Sequence, residues 1–356
     1  MESSRGCWWG QKHHCTFCGL NGEGMEFRQK PAERVLSEIH DLTDVWSAKR
    51  FFLADNIMPM NYFKSLLPQL AEWAEHPTLF YEVKANLNRE QIRAMAEAGV
   101  DAIQPGIESL STNVLKLMRK GVSARQNLAL LRICRSMGVR VAWNHLYGAP
   151  GETLADYQSV LELIPKIEHL QPPSGLNRII IDRYSPYFNT PEQFGIGALS
   201  PLPGYRGLYP AEAPLAQIAY HFNGDYSTPL MDEPTILAQL QLAIGVWKHQ
   251  WRDSERLPAL RVVNVAGRQL IADTRRIAKQ NLTPLSREAY DALIHFEHPR
   301  TRASLGDELG EQARDLLDRN FLVEHEGLLM SVVTTPQMIA EPARLKVDAA
   351  RRAAMA

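Results

Sequence analysis

Residues 78–109 read TLFYEVKANLNREQIRAMAEAGVDAIQPGIES. An apolar, aromatic-rich run (78–86) leads into a helical stretch that opens at Asn88, a helix-capping residue type, and stops before Gly99. A second apolar run, 100–109, follows directly. Two short apolar strands joined by one helix make a parallel βαβ unit, because strands buried on both faces lose the polar alternation of a half-exposed sheet.

The pattern continues on both sides. Upstream lie a helix in PAERVLSEIHDL (31–42), with Val35, Leu36 and Ile39 on one face, the strand RFFLADN (50–56) and the helix NYFKSLLPQLAEWAE (61–75). Downstream come a helix ending at Gly138, the strand VRVAWNHLYG (139–148), the helix ADYQSVLELIPKIEHL (155–170) and the strand NRIIIDRYSP (177–186). The five strands finish in Asp55-Asn56, Glu82 to Asn86, Glu108-Ser109, Asn144 to Gly148, and Asp182-Arg183. Working residues of such sheets gather at the C-terminal strand ends, so five polar ends in succession read as the rim of a site.

Beyond residue 200 the chain changes character. PLPGYRGLYPAEAP (201–214) is rich in proline and glycine and reads as a linker. A strand in LAQIAYHFNG (215–224), a helix over 234–251 and a strand over 259–273 follow. Residues 282–335 order as helix, short helix, helix and hairpin with a turn at Glu326-Gly327, which suits a winged helix; 336–356 is a charged, Ala-rich tail. The expected division is therefore 1–205, 206–281, 282–335 and 336–356.

Net charge is −1, with 45% hydrophobic and 22% charged residues. That balance is ordinary for a globular protein and gives a nucleic-acid partner no support. In the winged segment Arg300, Arg302, Arg314 and Arg319 are offset by Asp307, Glu308, Glu311, Asp315 and Asp318. No apolar run approaches the ~20 residues of a membrane helix, and the N-terminus lacks a signal-peptide core, so no membrane and a cytoplasmic location are the expectation.

Three of the four cysteines fall in the first 18 residues, as Cys7-x7-Cys15-Thr16-Phe17-Cys18. Cys134 sits apart on an apolar helix and reads as core. Three thiolates can hold three irons of a [4Fe–4S] cubane and leave the fourth iron open to S-adenosylmethionine (SAM), which an electron from the cluster then cleaves to a 5′-deoxyadenosyl radical. The alternative is a zinc site with His13 or His14 as fourth ligand, in a regulatory protein with a winged helix. Such a protein would need neither the strand-end polar residues nor the GAPGE turn at 148–152.

The string ESSRGCWWGQKHHCTFCGLNG (2–22), followed by GMEFRQK, FFLADN, YEVKAN, GIESLS, NHLYGAPGET and RYSPYF in order, resembles the family called ribosomal peptide maturation radical SAM protein 1. The resemblance covers roughly residues 2–210. It implies an α/β fold, a partial (β/α)6 barrel, with the metal held by Cys7, Cys15 and Cys18. It also implies SAM contacts from Asp55, Asn56, Glu82, Lys84, Glu108, Ser109, Asn144, Leu146, Gly148 and Arg183, with Glu152 in the same turn motif. The implied substrate is a ribosomal precursor peptide, leader plus core, with an external electron donor; a winged segment could hold the leader by strand addition. Family members often carry an upstream cobalamin domain and methylate unactivated carbon. Only six residues precede Cys7, so cobalamin would have to come from a separate upstream segment, and the barrel is expected to lack its first strand and expose an edge. Without cobalamin, epimerisation or crosslinking of the peptide is the alternative.

Overall fold

A computed structural model describes residues 1–24, 26–252 and 257–334; the expected tail and residue 335 lie outside them. The antiparallel ribbon β1 (Ser4–Arg5) and β2 (Arg28–Gln29) brackets the cysteine loop. Then β3 (Arg50–Phe52), β4 (Thr78–Glu82), β5 (Val100–Gln104) and β6 (Arg140–Val141) pair in that order, all parallel. The strand read over 139–148 breaks into β6 and β7 (His145–Tyr147), and β7 pairs in parallel with β8 (Leu176–Arg178). A parallel bridge from Glu108 to His145 ties the second sheet to the first. The α/β reading with a parallel sheet therefore holds.

Local signals explain the connecting helices. Asn88 caps Arg89–Glu97 in a reciprocal capping box with Gln91. Ser123 does the same with Gln126 for Ala124–Met137, which Gly138 ends at φ +71°. The apolar faces of these helices share one core with Leu79, Tyr81, Val100 and Ile103 of the strands, all with essentially no exposure. Cys134 is part of that core, and burial raises its thiol pKa.

The expected open edge is met in part. The amino group of Met1 donates to the Phe52 carbonyl (2.9 Å) and the Ala54 amide donates to the Met1 carbonyl (2.8 Å). That pair of bonds is what a parallel neighbour makes, so Met1 pairs the C-terminal end of β3.

The strand read over 177–186 starts within β8 and continues as β9 (Ile181–Asp182), which joins an antiparallel sheet in the order β10 (Leu199–Pro201), β11 (His221–Gly224), β9. The single strand read over 215–224 is instead a helical turn, Leu215–Ile218, followed by β11. The strand read over 259–273 is a hairpin, β12 (Leu260–Val265) and β13 (Arg268–Asp273), and β14 (Leu282–Pro284) adds to it. Its turn uses Ala266 and Gly267, both at positive φ, the geometry that two-residue hairpin loops require. The last segment follows the expected order: Arg287–His295, a short 3-10 turn Arg302–Ser304, Asp307–Asp318, then β15 (Leu322–His325) and β16 (Leu328–Ser331).

That segment is fastened to the parallel sheet's outer helices. The buried Arg132 guanidinium donates to the Ser331 (2.8 Å) and Glu297 (3.0 Å) carbonyls. His169 Nε2 lies 2.8 Å from the Val332 carbonyl, and His325 Nε2 lies 2.8 Å from that of Leu110.

Candidate functional site

The cysteine loop is held at several separate points. The Cys7 amide donates to Asn21 Oδ1 (2.9 Å), whose Nδ2 returns a bond to the Cys7 carbonyl (2.6 Å). Trp8 Nε1 donates to the Met58 carbonyl (3.2 Å) and Trp9 Nε1 to that of Arg119 (3.3 Å). Trp9 lies against Gly121, where a Cβ would stand 2.1 Å from the ring. Lys84 Nζ sits 3.7 Å from the centre of the same ring, and His13 stacks on it at 4.1 Å. Both tryptophans thus anchor the loop.

The three thiols share one electrostatic neighbourhood. Burial raises the Cys15 pKa; Lys120 and Lys84 oppose that rise, and Cys7 adds to it. Cys18 is pushed up to about 12, first by burial, with Cys15 and Asp182 among the contributors. Metal binding takes such thiols as thiolates, with the metal's positive charge offsetting the cost of burying them. His13 is engaged by Trp9, and His14 Nε2 lies 2.8 Å from the Cys18 carbonyl. The donor set suits a cluster that spreads its thiolates over three irons.

The strand ends bring ionisable groups to this loop. Glu108, at φ +57°, pairs with Lys120 (3.2 Å). Gly106 faces them; at φ +59°, a Cβ there would stand 3.0 Å from Lys120 Nζ and 3.2 Å from Glu108 Oε1. Burial works against the Lys120 charge, but Glu108 and Cys15 outweigh it and raise its pKa. Lys84 donates to the Lys120 carbonyl and is lowered to about 8, first by burial and then by Lys120. Glu82 is pushed up to about 7 by burial, then by Glu108 and Asp55, and its carboxylate shows no hydrogen bond or ion pair among the described residues. It is the carboxylate left available.

Other expected contacts are occupied within the chain. Asp55 accepts from the Ser3 amide (2.7 Å), the Ser3 hydroxyl and the Ser4 hydroxyl (2.8 Å). Asn56 Oδ1 accepts from the Gly6 amide (3.3 Å), so this strand end holds the entry to the cysteine loop. Ser109 Oγ is buried and accepts from the Ser111 amide (3.0 Å). Asn144 is exposed and accepts from Asn177 Nδ2 (3.2 Å); the Leu146 amide donates to the Glu108 carbonyl (2.7 Å). Gly148, at φ +88°, turns so that its amide and that of Ala149 donate to Glu152 (2.8 Å each). Arg183 donates to the carbonyls of Ala219 (2.7 Å) and Ala216 (2.6 Å) and lies over the Phe188 and Phe222 rings.

The structure thus joins Cys7, Cys15, Cys18, Glu82, Lys84 and Glu108, and adds Lys120, Trp9 and the pair Asp182–His221 (2.9 Å) beside Cys18. Lys120 sits in RKGVS, a loop without a motif, and His221 lies far along the chain. Trp9 carried a legible signal, its place inside the cysteine spacing.

Comparison with known proteins agrees with this layout. Residues 1–164 match the family model described as the radical SAM superfamily. An uncharacterized methyltransferase of Pyrococcus horikoshii is 24% identical over 172 residues, 47% of this chain and 37% of that protein. A hopanoid C-3 methylase of Methylococcus capsulatus is 23% identical over 150 residues, 40% of this chain and 28% of that protein. These matches span less than half of either relative. Among solved structures, the radical SAM methyltransferase TsrM of Kitasatospora setae, with cobalamin and a [4Fe–4S] cluster bound, aligns with TM-score 0.53 at 16% identity. The alignment covers 70% of this chain and 53% of that one, a likeness of fold. Residues 1–164 of the chain are a radical SAM superfamily domain.

Proposed function

We propose that this chain is the SAM-cleaving part of a radical SAM enzyme that modifies a ribosomally made precursor peptide. One observation carries the reading: Cys7, Cys15 and Cys18 are anchored over the ends of parallel strands, where Glu82, Glu108, Lys84 and Lys120 converge. Cys7, Cys15 and Cys18 would hold the cluster, which when bound supplies the electron for cleavage of SAM. Glu82, unpaired and half-buried, suits the ammonium of a bound amino acid. Trp8 and Trp9 shield the loop from water, and Lys84 and Lys120 favour thiolate at Cys15.

The peptide substrate rests on the resemblance of residues 2–210, and C-methylation rests on the further supply of cobalamin by an upstream segment. The methyltransferase names among the relatives favour methylation over epimerisation or crosslinking. For the leader, β15 has β16 as its only strand partner among the described residues, whereas Arg300 bridges Leu329 on β16. That leaves β15 as the edge for strand addition. The zinc reading is disfavoured because His13 and His14 are otherwise engaged.

The test is anaerobic reconstitution with iron and sulfide, then reductant and SAM. About four irons and 5′-deoxyadenosine that vanishes in Cys15→Ala are expected. Zinc in place of iron, with SAM intact, would sink the proposal.

A further inference from the structure

We propose that Asp182, backed by His221, is a positioning residue that clamps the Cys18 side of the cysteine loop and, through its charge, makes a bound cluster harder to reduce. The inference rests on the three cysteines being cluster ligands, but one arm of its test does not.

The contact is built by backbone and side chain together. The Asp182 amide donates to the Phe17 carbonyl (3.2 Å), and the Gly19 amide donates to Asp182 Oδ2 (3.3 Å). One residue therefore grips the chain on both sides of Cys18. Next to it, the Tyr187 amide donates to the Thr16 carbonyl (2.9 Å). The fit at Gly19 admits no side chain: a Cβ would stand 2.0 Å from the Arg183 carbonyl oxygen, 2.7 Å from the Tyr220 hydroxyl and 3.0 Å from Asp182 Cβ.

Asp182 Oδ1 is set by His221 Nδ1 at 2.9 Å. Asp182 and His221 face each other in the antiparallel register of β9 and β11, so the sheet itself fixes the pair. The carboxylate is mostly buried while the imidazole is nearly half exposed, which places the histidine as a backing group facing outward. Arg183, next in sequence, spends its guanidinium on the Ala216 and Ala219 carbonyls and holds the approach to β11 in place. A negative group fixed one residue from a thiolate ligand disfavours adding an electron to the cluster, and hydrogen bonding and charge around the sulfurs are the protein's means of setting its potential.

The metal-free full chain gives the first arm. Alkylation of each cysteine by iodoacetamide is followed by peptide mass spectrometry, with Cys7 as the loop reference and the core residue Cys134 as the reporter of unfolding. Asp182→Ala and, independently, Gly19→Ala should each raise the Cys18 rate relative to Cys7 severalfold, because either change loosens the loop beside Cys18 and opens access to its sulfur. Equal Cys18-to-Cys7 ratios in variant and unsubstituted chain would overturn the clamp, as would Cys134 labelling that rises in step with Cys18. In the reconstituted protein, Asp182→Asn keeps an acceptor for Gly19 and removes the charge. Its iron content should hold while its reduction potential becomes more positive; an unchanged potential would overturn the electrostatic role. Absence of iron from the unsubstituted chain would defeat the cluster reading, with alkylation still deciding the clamp.

Discussion

Cys15 and Cys18 are two residues of one short motif, both raised by burial, and they have different charged neighbours. Cys15 faces Lys120 and Lys84, whose charges favour its thiolate; Cys18 faces Asp182, whose charge opposes it. The Cys15 side is held by a tryptophan wedged against a glycine, the Cys18 side by a carboxylate across a β-sheet pair. Motif spacing sets which atoms are available as ligands, whereas distant loops decide the charge each ligand feels.

The largest test of that contrast is Lys120→Met. It leaves Glu108 without its partner and Cys15 without its nearest cation, and should lower stability by about 2–3 kcal/mol in chemical denaturation. Adding Glu108→Gln should recover part of the loss; simple additivity would show the pair to be uncoupled. Gly121→Ala acts on the same side by shape: φ there is +64°, and the new methyl meets the Trp9 ring. A loss of about 1–3 kcal/mol is expected, with greater exposure of Trp9 in fluorescence quenching.

Lys84→Met should matter less, within about 1 kcal/mol at neutral pH, because the lost cation–π contact is offset by relief of a buried charge. Its signature is in pH dependence. The folded pKa is lowered to about 8 from 10.5, so the lysine's contribution to stability rises with pH across that window, and the variant should flatten the rise. Glu82→Gln is the smallest and the mirror case. The Glu82 carboxyl is raised to about 7 from 4.5, so the folded state holds the proton more tightly and stability falls as pH climbs between those values. The glutamine variant should lose that slope; an unchanged urea midpoint profile would remove Glu82 from the charged cluster.

Much of this was legible in the chain. The parallel sheet followed from apolar runs alternating with helices, and Asn88 and Gly138 mark helix boundaries as their chemistry requires. Cys134 falls in the core, and the Glu326-Gly327 turn closes the last hairpin with both residues at positive φ. Less legible was the hairpin at Ala266-Gly267, since alanine rarely takes positive φ and gives little turn signal. The polar strand ends were visible, but their division of labour was not. Asp55 and Ser109 look like ligands in sequence because nothing local shows that Ser3, Ser4 and Ser111 will use their oxygens. Lys120 and His221 entered only through tertiary contact.

The fastening of the last hairpin has a consequence for the order of folding. Arg132 sits in the middle of a helix of the parallel-sheet region, yet its acceptors are the carbonyls of residues 297 and 331, more than 160 positions later. Until those residues have been synthesised, a guanidinium lowered by burial to about 9 has no protein acceptor and cannot be enclosed. His169 and Leu110 wait likewise for Val332 and His325. The sheet can assemble early from its local βαβ contacts, but its outer layer closes only once residues 297 to 332 have been made. Final compaction is therefore a late, long-range event that depends on a few hydrogen bonds.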